Sequence, residues 1–133
     1  MIFDRVSPAE SVAYFFFRII FGLLFAQHGL QKLFGLLGGE QAELFSLMGI
    51  AGVIELSVGV FVAVGLFTRP FAFLGAVTMI IAYGMAHFSR GWIPIQNGGE
   101  LALLYLAAFL FISTRKHHDF DINKLVNLLK GRR

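Results

Sequence analysis

Four long apolar stretches constrain this chain more than any other feature. They run from about residue 12 to 34, 44 to 67, 71 to 88 and 96 to 113, with turn-like segments between them. A helix that crosses about 30 Å of hydrocarbon needs about 20 mostly apolar residues. The stretches are continuous rather than alternating, which argues against strands. The sequence therefore predicts an all-α polytopic membrane protein built as a four-transmembrane-helix bundle.

Composition supports this prediction over a soluble helical protein. The chain is 57% hydrophobic and only 14% charged, with a mean hydropathy of +0.75, whereas a soluble domain needs more charge to cover its surface. Its 133 residues suit one domain, so we predict a single membrane domain over residues 1–133. Asp4, Glu10 and Arg18 interrupt the N-terminal region, which is unlike a cleaved signal peptide. The absence of cysteine excludes disulfides and thiolate chemistry.

The fourth stretch is the shortest, because its uninterrupted apolar part runs only from Leu101 to Ile112. It crosses a membrane only if Asn97 and Glu100 are drawn into the bilayer. Polar residues at that depth are costly and usually functional. The two polar residues that shorten the apolar part of this stretch, Asn97 and Glu100, are therefore candidate site residues.

Basic residues are distributed unequally over the two sides of such a bundle. One side carries eight Lys and Arg, six of them at or beyond Arg115, whereas the other carries only Lys32 and Arg90. The positive-inside rule then places both termini in the cytoplasm. No basic–aromatic interleaving or nucleic-acid motif occurs, so we expect no nucleic-acid partner.

The C-terminal tail, residues 114–133, has its own pattern. Ile122, Leu125, Val126 and Leu129 recur at helical spacing, with lysines on the opposite face. This pattern predicts a short amphipathic helix at the interface with anionic membrane lipid. A frayed, solvated tail is the alternative, because the pattern is short.

Polar residues within the first two stretches share faces with glycines. On a helical wheel Arg18, Gly22, His28, Gly29 and Lys32 fall within an arc of about 120°. Glu55 shares its face in the second stretch with Gly52 and Gly59. Small residues allow close backbone approach, and charges in a membrane need partners. Both faces are therefore expected to pack against other helices, with acids paired to cations.

Most of the polar residues in the four stretches are expected to lie at a similar depth in the membrane. With a rise of about 1.5 Å per residue, six of them fall in the outer half of the membrane, and Arg18 lies further inward. Those six are His28, Lys32, Glu55, His87, Asn97 and Glu100. We predict a shared pocket in which Glu55 and Glu100 offset Lys32 and Arg18. The alternative is a set of buried ion pairs that only fix helix packing, although such pairs are a poor source of stability.

Several segments together resemble a known family. They are the Arg18-x3-Gly22 spacing, "HGLQKLFG", "GVIELSVGVFVAVGLFTRPFA" and "NGGELALLYL". Over residues 12–114 the chain resembles the DoxX-like family of small four-helix inner-membrane proteins. The resemblance implies a subunit of a quinone-linked oxidoreductase, such as thiosulfate:quinone oxidoreductase, or a partner in an oxidative-stress complex. It also implies functional positions, which are Arg18, His28, Lys32, Glu55, Asn97 and Glu100.

The leading hypothesis is a quinone-linked subunit. We assign catalytic roles to His28, Glu55 and Glu100 and ligand-binding roles to Arg18, Lys32 and Asn97, with no metal site. The cofactor is unassigned: quinone is preferred, and haem held by His28 and His87 ranks lower. Because the chain has no recognisable redox centre of its own, a redox partner subunit is expected, and enzymatic activity stays open.

Two other functions are kept. One is a small-solute binder or transporter, for which four helices are few, an objection that a homodimer would ease. The other is a non-catalytic membrane scaffold that recruits partners through its basic tail.

Overall fold

The computed structural model describes residues 8–115 and Gly131, and all regular structure within 8–115 is helical. The all-α prediction is confirmed for this part of the chain. The elements are α1 (Pro8–Phe34), α2 (Leu47–Val64), α3 (Thr68–Ala86), a 3-10 turn (Phe88–Arg90), α4 (Pro94–Asn97) and α5 (Glu100–Thr114). The short amphipathic helix predicted within the tail, residues 114–133, lies outside the described residues and stays a prediction.

The ends of α2 follow from local capping. Ser46 caps its start, because the Ser46 side chain accepts a 3.1 Å hydrogen bond from the Gly49 amide. Gly65 ends it in the left-handed conformation, at φ 80°. The helix therefore ends at Val64, three residues before the predicted end of the second stretch. Pro70 lies in the first turn of α3, where its missing N–H is tolerated.

Three helices are long and apolar enough to cross a membrane, in the segments Ala9–Phe34, Leu47–Val64 and Thr68–Arg90. The fourth apolar stretch is broken rather than continuous. Gly98, with φ 74°, separates the single turn of α4 from α5, which has 15 residues. Glycine adopts the left-handed backbone conformation at little cost, and this conformation of Gly98 ends α4. By length and composition the described part of the chain thus has three candidate spans and one shorter apolar helix.

Large apolar side chains cover the outside of the helices. Phe16, Phe73, Ile80 and Leu104 each expose more than half of their surface. In water such a surface would drive aggregation, whereas lipid tails solvate it. Its spread over α1, α3 and α5 is the surface expected of a membrane protein.

Glycines bring α1 and α2 into close contact, so both glycine faces pack against another helix, as predicted. A Cβ atom on Gly22 would lie 2.8 Å from the carbonyl oxygen of Gly59, and one on Gly29 would lie 2.7 Å from that of Gly52. No side chain fits between the two backbones at either point. The face of α2 that carries Glu55 is therefore pressed against the face of α1 that carries Lys32.

The other close helix pair is α3 with α5, whereas α1 and α5 meet mainly through aromatic rings. Ring centroids are 5.6 Å apart for Phe17 and Phe111 and 4.7 Å apart for Phe25 and Phe109. Phe21 adds an edge contact to Tyr105 at 5.8 Å. Because these rings hold α1 and α5 apart, space remains between the two helices beyond the last ring.

Candidate functional site

A cavity of about 230 Å³ lies among α1, α2, α3 and α5. Much of its wall is apolar, and part of that wall consists of Phe25 and Met79. Four titratable side chains line it, one from each of these helices or from a helix end: His28, Glu55, His87 and Tyr105. A mostly apolar cavity with a few convergent polar groups is the usual form of a small-molecule site.

Glu55 carries the charge at this cavity. It is only 4% exposed, and its Oε1 atom lies 2.5 Å from Nζ of Lys32. This is the acid–base pair between the first and second stretches that the sequence predicts. The second carboxylate oxygen, Oε2, is buried and has no hydrogen-bond partner among the described residues. A buried acceptor without a donor is costly, so this atom is suited to a ligand that brings one.

His28 and Tyr105 form a second polar element of the wall. Their rings meet edge to face, with centroids 5.8 Å apart and planes at 85°. Tyr105 is buried, and only its position on α5 beside α1 brings it to His28. Sequence reasoning gave Tyr105 no site role, because the facing of α5 depends on packing that no spacing encodes.

Asn97 holds the loop between α3 and α5 in place. Its Nδ2 donates to the Tyr83 hydroxyl at 3.0 Å and to the Gly91 carbonyl at 2.9 Å, and its Oδ1 accepts from the Gly99 amide at 2.8 Å. Asn97 is 1% exposed, so the loop is tied to α3 through a buried amide. The geometry gives this side chain a clear positioning role, and its predicted ligand-binding role stays a prediction.

His87 lines the cavity; the sequence placed it at the depth of the predicted pocket but gave it no role other than as a possible haem ligand. It caps the C-terminal end of α3, and its Nδ1 lies 3.1 Å from the carbonyl oxygen of Asn97. Because a carbonyl only accepts, the Nδ1 atom donates, which leaves Nε2 of the neutral ring as an acceptor. The main chain of Asn97 therefore fixes the orientation of the His87 ring.

Two of the six sequence-predicted site residues lie apart from the cavity wall. Glu100 is exposed at the first position of α5, and Arg18 is 1% exposed on α1, with Cζ 5.9 Å from the centroid of the Phe15 ring. Ten residues separate Arg18 from His28, a rise of about 15 Å along the helix. The cavity thus gathers His28 and Glu55, has Lys32 and Asn97 beside them, and leaves Glu100 and Arg18 elsewhere. The functional roles of all six stay predictions.

Comparison with known proteins places the chain in a family. Residues 13–88 match the family model described as DoxX. The chain belongs to the DoxX family. An uncharacterized protein of Haemophilus influenzae is similar as well, at 40% identity over 103 residues that cover 72% of this chain and 77% of that protein. No solved structure matches the chain.

The DoxX match covers α1, α2 and α3, and with them three of the four polar cavity residues: His28, Glu55 and His87. Lys32, the ionic partner of Glu55, also lies within it. Tyr105 and Asn97 follow the matched segment. The family resemblance predicted from the sequence is thus confirmed, and the charged part of the cavity is built from the DoxX segment.

Proposed function

We propose that this DoxX protein is an inner-membrane subunit of a quinone-linked oxidoreductase or oxidative-stress complex, and that the cavity binds a quinone or quinol ring. One observation carries the proposal. Oε2 of Glu55 is a buried acceptor without a partner among the described residues, and Glu55 lines the cavity. A quinol hydroxyl is a donor of the kind that this atom needs, and it reaches the site from the lipid phase.

The rest of the wall suits such a ring. Phe25 and Tyr105 offer aromatic surface, and His28 offers a nitrogen that can donate to a carbonyl oxygen. The volume, about 230 Å³, lies below the range of roughly 300–1,000 Å³ typical of drug-sized ligands. It therefore suits a ring whose isoprenoid tail stays in lipid.

A bound quinone would supply reversible two-electron, two-proton chemistry. The residues of this chain would bind the ring and handle protons. Glu55 would hold the ring through Oε2 and would be the group that takes up a proton from it, and Lys32 would stabilise the Glu55 carboxylate while it is still ionised. We propose that electrons pass to a redox partner subunit.

A small-anion binder or transporter is less well supported. The described cavity lining contains no Lys or Arg, and the nearest ammonium, that of Lys32, is already paired with Glu55. An anion would meet the carboxylate without a free cation to offset it. A neutral ligand with a donor group avoids this cost.

Four spans, with both termini in the cytoplasm, are part of the proposal. Alone, α5 reaches only about 22 Å, so we propose that the preceding turn, Pro94–Asn97, enters the membrane with it to complete the crossing. Buried Tyr105, Phe109 and Ile112 line one side of α5 along most of its length. This supports α5 as a full member of the bundle. The excess of basic residues on one side supports the orientation.

The test is native mass spectrometry of the full chain after gentle solubilisation with added quinone. We expect quinone to be retained by the wild type and by the control variant Glu43→Gln, which changes an exposed loop acid. Glu55→Gln is expected to lower retention about tenfold, because one charge-assisted hydrogen bond is lost. Equal retention by Glu55→Gln and Glu43→Gln would overturn the assigned site. A retained small anion would favour transport, and a partner protein captured equally by all variants without quinone would favour a scaffold.

A further inference from the structure

A second cavity, of about 590 Å³, lies at the other end of α3. It is lined by Arg69, Pro70 and Phe73 of α3 and by Ser113 and Thr114 of α5. Arg69 and His87 are 18 residues apart in sequence, a separation of about 27 Å along the helix. Because α2 and α3 are both candidate spans, the turn between them, and this cavity with it, lies at a membrane boundary.

The guanidinium of Arg69 is held in place but keeps its charge available. Its Nε donates a 3.1 Å hydrogen bond to the Ser113 carbonyl, and the described residues provide no carboxylate partner. The other basic side chain described at this end, Arg115, differs: its Nη1 lies 3.0 Å from Glu10 Oε1, and its Cζ lies 4.3 Å from the centroid of the Tyr14 ring. Within the described residues, Arg69 therefore presents its two terminal nitrogens as a fixed cation without a carboxylate partner.

The other described residues of the lining add no competing charge. The Ser113 and Thr114 hydroxyls donate to their own helix, to Leu110 at 2.8 Å and to Phe111 at 3.0 Å. Phe73 is 60% exposed and forms an apolar wall one helical turn beyond Arg69. The cavity thus combines one cationic fork with an adjacent apolar surface, at the level where lipid headgroups lie.

We propose that this cavity binds the phosphate of an anionic phospholipid. The two terminal nitrogens of Arg69 match two phosphate oxygens in a bidentate arrangement, which an ammonium group does not reproduce. An acyl chain then covers Phe73, which a free anion would leave bare. This site is separate from the quinone cavity and does not depend on the function proposed there.

The experiment uses the full chain in mild detergent, titrated with phosphatidylglycerol or phosphatidylcholine and examined by native mass spectrometry. Arg69→Gln is expected to lower phosphatidylglycerol retention about tenfold, and Arg69→Lys about threefold, because the charge remains but the fork is lost. Arg90→Gln is the matched control: it removes an exposed arginine just beyond the opposite end of α3 and leaves retention unchanged. The wild type is expected to prefer phosphatidylglycerol to phosphatidylcholine.

Further measurements distinguish a lipid ligand from free phosphate, and a loss of binding from a loss of folding. Phe73→Ser alters an exposed side chain and is expected to lower retention about threefold by removing the apolar wall. Tail-less glycerophosphate at millimolar concentration is expected not to displace the lipid. Equal effects of Arg69→Gln and Arg90→Gln would overturn the proposal, as would displacement by glycerophosphate or equal binding of the two lipids. If Arg69→Gln does not fold, Arg69→Lys and Phe73→Ser decide.

Discussion

Lys32 and Glu55 form an ion pair between α1 and α2, with Nζ 2.5 Å from Oε1. The lysine side chain is 25% exposed and the carboxylate 6% exposed, so the pair connects the cavity to the end of α1. Lys32 lies in the last turn of α1, where the helix dipole favours a cation. The pair therefore places one ammonium and one carboxylate beside the cavity, and it also joins α1 to α2.

We expect Lys32→Met to destabilise the protein by about 3 kcal/mol, because it leaves a buried carboxylate without its cation. Combining it with Glu55→Leu is expected to recover much of that loss, since the second change removes the stranded charge. Unfolding by sodium dodecyl sulfate in mixed micelles measures both effects, and the full double-mutant cycle gives the coupling free energy.

The Glu10–Arg115 pair provides the control for this cycle. Glu10 is 53% exposed at its side chain, so Glu10→Gln is expected to cost no more than about 1 kcal/mol. If Lys32→Met costs no more than Glu10→Gln, the Lys32–Glu55 pair contributes no more than an exposed ion pair does, and it does not couple α1 to α2.

Gly59 is a second point at which α1 and α2 depend on each other. A Cβ there would lie 2.5 Å from the carbonyl oxygen of Gly22, so Gly59→Ala must push the helices apart. We expect a loss of about 1–3 kcal/mol, measured by the same unfolding assay. The matched control is Gly84→Ala in α3, where nothing lies within 4 Å of the added atom. That change is expected to be neutral or to stabilise by up to about 1 kcal/mol. Equal losses for the two variants would contradict a close α1–α2 contact.

The helices and the α1–α2 contact follow from local sequence, whereas several boundaries do not. Length and apolarity predict α1, α2 and α3, and the shared face of Gly52, Glu55 and Gly59 predicts which side of α2 packs against another helix. The break at Gly98 was not predicted, because a glycine pair inside an apolar segment is compatible with a continuous membrane helix. The φ of 74° arises from the loop that Asn97 holds.

The candidate site could be predicted only in part, for a geometric reason. Wheel angles and depth place His28, Lys32 and Glu55 together, because those residues lie on two helices in direct contact. Tyr105 and Glu100 both lie on α5, whose rotation is set by ring packing against α1. That rotation directs Tyr105 to the cavity and leaves Glu100 exposed. Spacing within α5 does not reveal which of them faces inward.

Asn97→Ala tests whether the buried amide organises the loop between α3 and α5. The variant leaves the Gly99 amide and the Gly91 carbonyl without their partner, so we expect a loss of about 1–3 kcal/mol. Hydrogen–deuterium exchange is expected to rise at residues 91–99 and to stay unchanged in α1 and α2. Gln96→Ala, which alters the exposed neighbour, is the control. If stability and exchange stay normal while quinone retention falls, Asn97 is a ligand-binding residue rather than a positioning one.

The fourth span can be tested by cysteine labelling, because the chain has no cysteine of its own and the wild type gives no background. Ser89 precedes α4, and Thr114 ends α5; both are exposed. If α5 crosses with the termini in the cytoplasm, Ser89→Cys reacts with a membrane-impermeant maleimide in right-side-out vesicles, and Thr114→Cys reacts only after lysis. Glu43→Cys, in the loop after α1, is expected to label like Ser89→Cys. Labelling of both Ser89→Cys and Thr114→Cys before lysis would show that α5 does not cross. Only Thr114→Cys labelling before lysis would instead reverse the orientation and keep the fourth span.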